Sequence, residues 1–248
     1  MDELDTTNGK FFVDLVAASS HKPFELDGII DKEKKVTIDI GDLKGKPLGY
    51  YLEACNYADY AFGIFLEKLK EKGLYDNTVV IVFGDHYGMT MYDEDLIKFL
   101  GENPENYNDP RMQFEFSNIA CGMRIPGIQN VKIEQPTSKI DIKSTLLQIL
   151  GIEEQISIGK SIFDGKPSVI INNGKIITKE YFYDASDWYY LSTGEKIDFE
   201  TIPEDLKNRL NEYVKQMKIE LGISNSMVVE NLLKGKLNTS QNTLEKSE

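Results

Sequence analysis

Thr78-Val79-Val80-Ile81-Val82-Phe83-Gly84-Asp85-His86-Tyr87-Gly88 (TVVIVFGDHYG) is the stretch on which the reading of this 248-residue chain turns. Its first six residues are apolar or β-branched with no polar alternation, the pattern of a strand covered on both faces, as in a parallel sheet. The run stops at Gly-Asp-His-Tyr-Gly. Open α/β sheets bind ligands outside the carboxyl ends of their strands, so this pentapeptide falls where chemistry is expected. Neighbouring side chains in a regular strand point to opposite faces, and Asp85 and His86 can converge on one object only where the chain turns. The flanking Gly84 and Gly88 permit that turn. A carboxylate beside an imidazole suits a borderline divalent ion such as Mn²⁺ or Zn²⁺. A plain structural role, His86 closing the strand and Asp85 capping the turn, stays open on these residues alone.

Working outward, the residues from Gly49 to Lys72 place Leu52, Cys55, Phe62, Phe65, Leu66 and Leu69 at three- and four-residue steps, which predicts an amphipathic helix stopped by Gly73. Upstream of it, Phe11 to Ala18 (FFVDLVAA) predicts a buried strand running into Ser19-Ser20-His21. The chain has 2 histidines, and both follow predicted strands, so His21 joins the candidate site. There it would contact a phosphate or sulfate oxygen or protonate a leaving group, with an ordinary loop His as the alternative. Downstream, Tyr92 to Leu100 predicts a short helix whose first turn uses Asp93, Glu94 and Asp95 for its dipole rather than for a metal. Asn118 to Ile125 predicts another internal strand, and Ser138 to Leu150 a helix ended by Gly151. Asp59, Arg111 and Arg124 read as structural or solvated, and Cys55 and Cys121 as small buried apolar residues.

Strand, helix, strand, loop, strand, helix is an α/β layout with mostly parallel strands flanked by helices. Beyond Phe163 the character changes. Ser168 to Ile171, an Asn172-Asn173-Gly174 turn and Lys175 to Tyr183 predict a hairpin, extended by Trp188 to Leu191 and Glu195 to Ile197 into a small antiparallel sheet. Pro203 to Leu221 predicts a surface helix. The expected organisation is 1–165 for the α/β part, 166–200 for the small β subdomain, 201–222 for the C-terminal helix and 223–248 for a polar, frayed tail.

Composition narrows the function. With 28 Lys+Arg against 41 Asp+Glu the net charge is −13, which argues against a nucleic-acid partner. A hydrophobic share of 41% is enough for a real core. No run approaches the roughly 20 apolar residues of a membrane span. Met1 to Lys10 (MDELDTTNGK) has neither the basic nor the apolar region of a secretory signal, so the expectation is no export segment in the chain as given.

Taken together, SSHKPF, LKEKGLYDNTVVIVFGDHYGM, RIPG and PTSKIDIKSTLLQILGI resemble the catalytic domain of the lipoteichoic acid synthase family, in the sulfatase branch of the alkaline-phosphatase-like superfamily. The resemblance runs from about Phe11 to Tyr183. It implies a phosphoglycerol transferase dependent on Mn²⁺, with Mg²⁺ or Zn²⁺ as other candidates. The substrate it implies is the glycerol-phosphate head group of an anionic phospholipid, the product a cell-envelope polymer, and the location the extracellular face of the membrane. Carried over by residue, Asp85 and His86 match two metal ligands, and His21 matches a His contacting the glycerol phosphate. Asp141 matches a recurrent position and is read as structural. The family's nucleophilic Thr and acidic metal ligand lie early in the domain, and nothing here matches them, Thr90 included. The expectation is therefore the C-terminal half of a catalytic domain, inactive alone, with the missing N-terminal half or a separate chain as its partner. A sulfatase or phosphoethanolamine transferase, and a non-catalytic metal-binding cell-surface module, are the alternatives.

Overall fold

The computed structural model describes residues 9–89, 93–103, 109–129, 131–153, 157–165, 168–171 and 174–231. Two compact units, 1–130 and 131–248, divide the chain.

The first unit contains helices α1 (Lys32–Lys35), α2 (Pro47–Glu71), α3 (Glu94–Phe99) and α4 (Pro110–Glu115), and strands β1 (Val80–Phe83) and β2 (Cys121–Arg124). Helix α2 starts on Pro47, whose fixed φ suits a first helical turn and whose missing N–H would be unpaired there anyway. It stops where Gly73 turns left-handed at φ 66°, with Leu74 N–H closing back onto the Leu69 carbonyl at 2.9 Å. Leu48, Ala54 and Leu69 are buried on it, and the expected stripe of Leu52, Cys55, Phe62, Phe65 and Leu66 is half-buried.

Asp93 caps α3 by accepting the Leu96 N–H at 2.9 Å, so the acidic triplet serves the helix as expected. Lys46 at the start of α2 holds Asp95 at 2.8 Å. Replacing Asp93 by Ala should cost about 1 kcal/mol through the lost cap, read as a small drop in the thermal midpoint; an unchanged midpoint would argue against the cap. Arg124 is structural too. It donates to the Thr78 carbonyl at 2.8 Å, and its guanidinium lies 3.8 Å over the Tyr75 ring.

Three expectations for this unit are corrected. Strand β1 pairs with β2 antiparallel, from Val80 opposite Arg124 to Phe83 opposite Cys121, and no parallel pair occurs among the described residues. A continuous apolar run asks for cover on its faces but carries no information on the direction of its neighbour. Residues 11–18 form no strand, and Phe12 and Val16 are 78% and 89% exposed. No described strand lies alongside to complete their backbone ladder. Cys121, which opens β2 at the end of a sheet with two described strands, is exposed, and Cys55 on α2 is half-buried.

The second unit contains helix α5 (Asp141–Ile149), strands β3 (Ser168–Ile171), β4 (Lys175–Thr178), β5 (Tyr181–Tyr183) and β6 (Trp188–Tyr190), and helix α6 (Glu204–Val229). The four strands form an antiparallel meander in sequence order. The expected strand from Lys175 to Tyr183 is split into β4 and β5. Thr178 Oγ1 accepts from Tyr181 N–H at 2.8 Å and Glu180 N–H at 3.2 Å, which folds the chain back on itself. Asn172 and Asn173 of the predicted hairpin turn lie outside the described residues. Ile176, Trp188, Ile197, Leu210 and Met217 make one buried cluster between sheet and α6. Helix α6 runs through Gly222 to Val229, beyond the expected end at 222, since a single helical Gly costs only about 1 kcal/mol. Of the expected tail, 232–248 lies outside the described residues. Among the described residues no helix is long and apolar enough to cross a membrane.

Asp141, 1% exposed, is the fixed point of α5. Its carboxylate accepts Ser138 N–H at 2.9 Å and Lys160 N–H at 3.0 Å, while Ser144 Oγ donates to the Gly159 carbonyl and Thr145 Oγ1 accepts from Ile162 N–H. Gly159 lies so close to the Ile140 carbonyl that any side chain there would collide with it. The Ser-Lys-Ile-Asp-Ile motif thus straps the 157–162 segment onto a helix, the structural role expected for Asp141.

Candidate functional site

Gly84 N–H donates to the Ala120 carbonyl at 3.0 Å, the last ladder bond before the chain leaves β1. Asp85 Oδ1 then accepts the backbone N–H of His86 at 2.9 Å, and His86 Nδ1 lies 2.7 Å from the Tyr87 carbonyl. A carbonyl only accepts, so Nδ1 carries a proton in this arrangement and Nε2 is the nitrogen left for a further partner. That Nε2 stands 3.7 Å from Asp85 Oδ2, with the two side chains 60% and 82% exposed. One nitrogen and one carboxylate oxygen, adjacent and open to solvent, fit as two members of the ligand set of Mn²⁺, Mg²⁺ or Zn²⁺. Among the described residues no group of three or more His, Cys, Asp or Glu forms a complete metal cluster.

His21 is oriented the same way. Its Nδ1 lies 2.7 Å from the Lys22 carbonyl, leaving Nε2 as the outward nitrogen, and its carbonyl receives Phe24 N–H at 2.9 Å. That turn drives Phe24 into a buried position, 5% exposed.

Phe24 and the Asp85-His86 loop meet the same side chain. The Phe24 ring stands edge-on to Tyr51 of α2 with centroids 5.1 Å apart. Gly88 lies against the Cε2, Cζ and Oη atoms of that Tyr51, and a Cβ on Gly88 would overlap them. The loops carrying His21 and His86 therefore rest on one aromatic ring. Burial first, then hydrogen bonding with the Cys55 thiol one turn along, pushes the Tyr51 hydroxyl up to about 12, so it is neutral at physiological pH.

Asp59 is exposed on α2, and Arg111 falls on α4. Thr90 lies outside the described residues. Sequence reasoning missed Tyr51. The signal was the glycine two residues after His86, whose need for a bare Cα implies a close neighbour, but only the fold reveals which one.

An α/β frame with an Asp-His pair just past a strand end, and a second His loop packed beside it, is the arrangement expected of the sulfatase class. The Sulfatase family model matches residues 1–152, and the chain belongs to that family, as a lipoteichoic acid synthase-like domain. It is 29% identical to the lipoteichoic acid synthase-like YvgJ of Bacillus subtilis, over 90% of this chain and 35% of that protein. Lipoteichoic acid synthase 1 of B. subtilis is 28% identical over 94% of this chain and 35% of its own length. The lipoteichoic acid synthase of Staphylococcus aureus is 27% identical over 87% and 32%. The crystal structure of the lipoteichoic acid synthase LtaP from Listeria monocytogenes superposes with a TM-score of 0.63 at 26% identity, covering 84% of this chain and 52% of that one. The chain thus spans about a third of the curated relatives it matches and about half of the solved one.

Proposed function

We propose that this chain supplies part of the catalytic centre of a phosphoglycerol transferase, which moves glycerol phosphate from an anionic phospholipid such as phosphatidylglycerol onto a cell-envelope polymer at the outer face of the membrane. Asp85 and His86 hold a divalent ion, Mn²⁺ by preference, and His21 contacts the transferred phosphate. The observation that carries this reading is the convergence of the two His-bearing loops on Tyr51. The similarity to lipoteichoic acid synthases supports the choice of ester over the sulfatase alternative.

A bound divalent ion supplies charge neutralisation at a phosphoryl group and at the oxygen that attacks it. The chain's own contributions are positional. Asp85 and His86 present an oxygen and a nitrogen side by side, and His21, with Nδ1–H held by the Lys22 carbonyl, acts through Nε2 in its doubly protonated form, donating to a phosphate oxygen or giving that proton to the departing oxygen of the phospholipid. No residue of the chain is assigned as nucleophile, so the chain alone is expected to be nearly inactive.

Two measurements test this. With Mn²⁺ and phosphatidylglycerol vesicles, the chain should release no diacylglycerol above the buffer rate. Robust release that disappears in Asp85→Ala would overturn the assignment of a partial centre. In the presence of diamagnetic Mg²⁺, glycerol 1-phosphate should shift the His21 imidazole NMR signal more than inorganic sulfate does, whereas an equal or larger shift with sulfate would favour a sulfatase.

A further inference from the structure

The substrate-side His and the metal-side pair sit on loops far apart in sequence, and a reaction centre built from both needs their spacing fixed to within about half an ångström. Neither loop is held by regular structure at the critical point. Residues 19–26 contain only turns, and residues 84–89 follow the end of β1. Each loop, however, meets the Tyr51 ring two or three residues past its His. Phe24, three residues after His21, is buried edge-on against Tyr51, and Gly88, two residues after His86, has its Cα against the hydroxyl end of the same ring. Tyr51 is itself half-buried in the second turn of the 25-residue α2.

We propose that Tyr51 is a positioning residue that sets the distance between His21 and the Asp85-His86 pair. The two loops bear on one ring, so a displacement of either is passed to the other through Tyr51. Gly88 is glycine because a methyl group would have to occupy the place of the Tyr51 ring. Of the three Tyr51 atoms nearest a Cβ at position 88, Cε2 and Cζ belong to the ring and only Oη does not, so phenylalanine at position 51 preserves most of the coupling, while alanine or leucine removes it. The inference rests on the site assignment above, but the coupling is a property of the free chain and can be read without metal or turnover.

The 2 histidines give two imidazole NMR signals, assigned by His21→Gln and His86→Gln. Gly88→Ala, a change in the metal-side loop, should move the His21 signal by several linewidths, with no metal added. In Tyr51→Ala, or in Tyr51→Leu should the alanine variant fold poorly, adding Gly88→Ala should leave the His21 signal in place. In Tyr51→Phe the native response should return. A His21 signal indifferent to Gly88→Ala in the native background overturns the proposal, as does an equal response with and without the ring at position 51. Mn²⁺ alone, added afterwards, should broaden His86 first and His21 with it. Failure to broaden His86 would remove the metal assignment while the coupling through Tyr51, measured without metal, would stand.

Discussion

Replacing Asp141 by Ala should destabilise the chain by about 3–4 kcal/mol, because two backbone donors lose their acceptor at once and each unmet donor costs roughly 1–3 kcal/mol. The donors are the N–H groups of Ser138 and Lys160, on either side of α5, and the carboxylate they share is almost wholly removed from solvent. The substitution also removes a negative charge from the first turn of α5, where it opposes the positive end of the helix dipole. At roughly 3–6 °C of midpoint per kcal/mol for a unit of this size, the thermal midpoint should fall by roughly 9–24 °C. Asp141→Asn keeps one acceptor oxygen and should fall between native and Ala. A loss below about 1 kcal/mol for the Ala variant would mean that water reaches the two donors and that the strap is not closed.

The strap also illustrates how the chain could be read from its residues. Helices α2 and α5 were legible because apolar side chains recur at helical spacing and a left-handed Gly closes each, Gly73 at φ 66° and Gly151 at φ 65°. The Asn-Gly signal located the hairpin of β3 and β4, and Asp93 caps α3 with Glu94 and Asp95 in its first turn, the helix-start role read from the acidic triplet. What failed was everything that depends on a partner distant in sequence. Phe11 to Ala18 has the composition of a buried strand, yet composition names only the environment a segment suits and does not supply the neighbour that creates it. The apolar run of β1 asks for cover on both faces, whereas Val82 and Phe83 stay 44% and 43% exposed beside the single described antiparallel neighbour β2.

The candidate site divides along the same line. Asp85 and His86 are picked out as candidates by the glycines and the strand end beside them, whereas the strand expected before His21 does not form; in both imidazoles Nδ1 lies against a backbone carbonyl. Tyr51 was not legible, since an aromatic residue near the start of an amphipathic helix is ordinary until the fold brings Phe24 and Gly88 against it. Local chemistry can be found by pattern, but the element that sets its spacing is a tertiary contact.

Mn²⁺ should bind the chain weakly and at one place, and either Asp85→Asn or His86→Gln should reduce that binding by more than about 10-fold. Even the outer-shell partners of metal ligands are worth roughly 10–100-fold in affinity, and here each variant removes half of the donors assigned to the ion. Asp85→Asn keeps an oxygen but deletes the charge that attracts the cation, which isolates the electrostatic part of the loss. His86→Gln keeps the carboxylate and deletes the outward nitrogen 3.7 Å away. His21→Gln serves as the control and should leave Mn²⁺ binding unchanged, because His21 is assigned to the phosphate. The effect can be followed by Mn²⁺ electron paramagnetic resonance, in which bound ion loses the sharp signal of the free ion. Equal affinity in all four proteins would remove Asp85 and His86 from the metal site. Tight binding by the native chain would call for ligands beyond this pair, because one carboxylate and one imidazole, both largely open to water, leave the ion mostly hydrated.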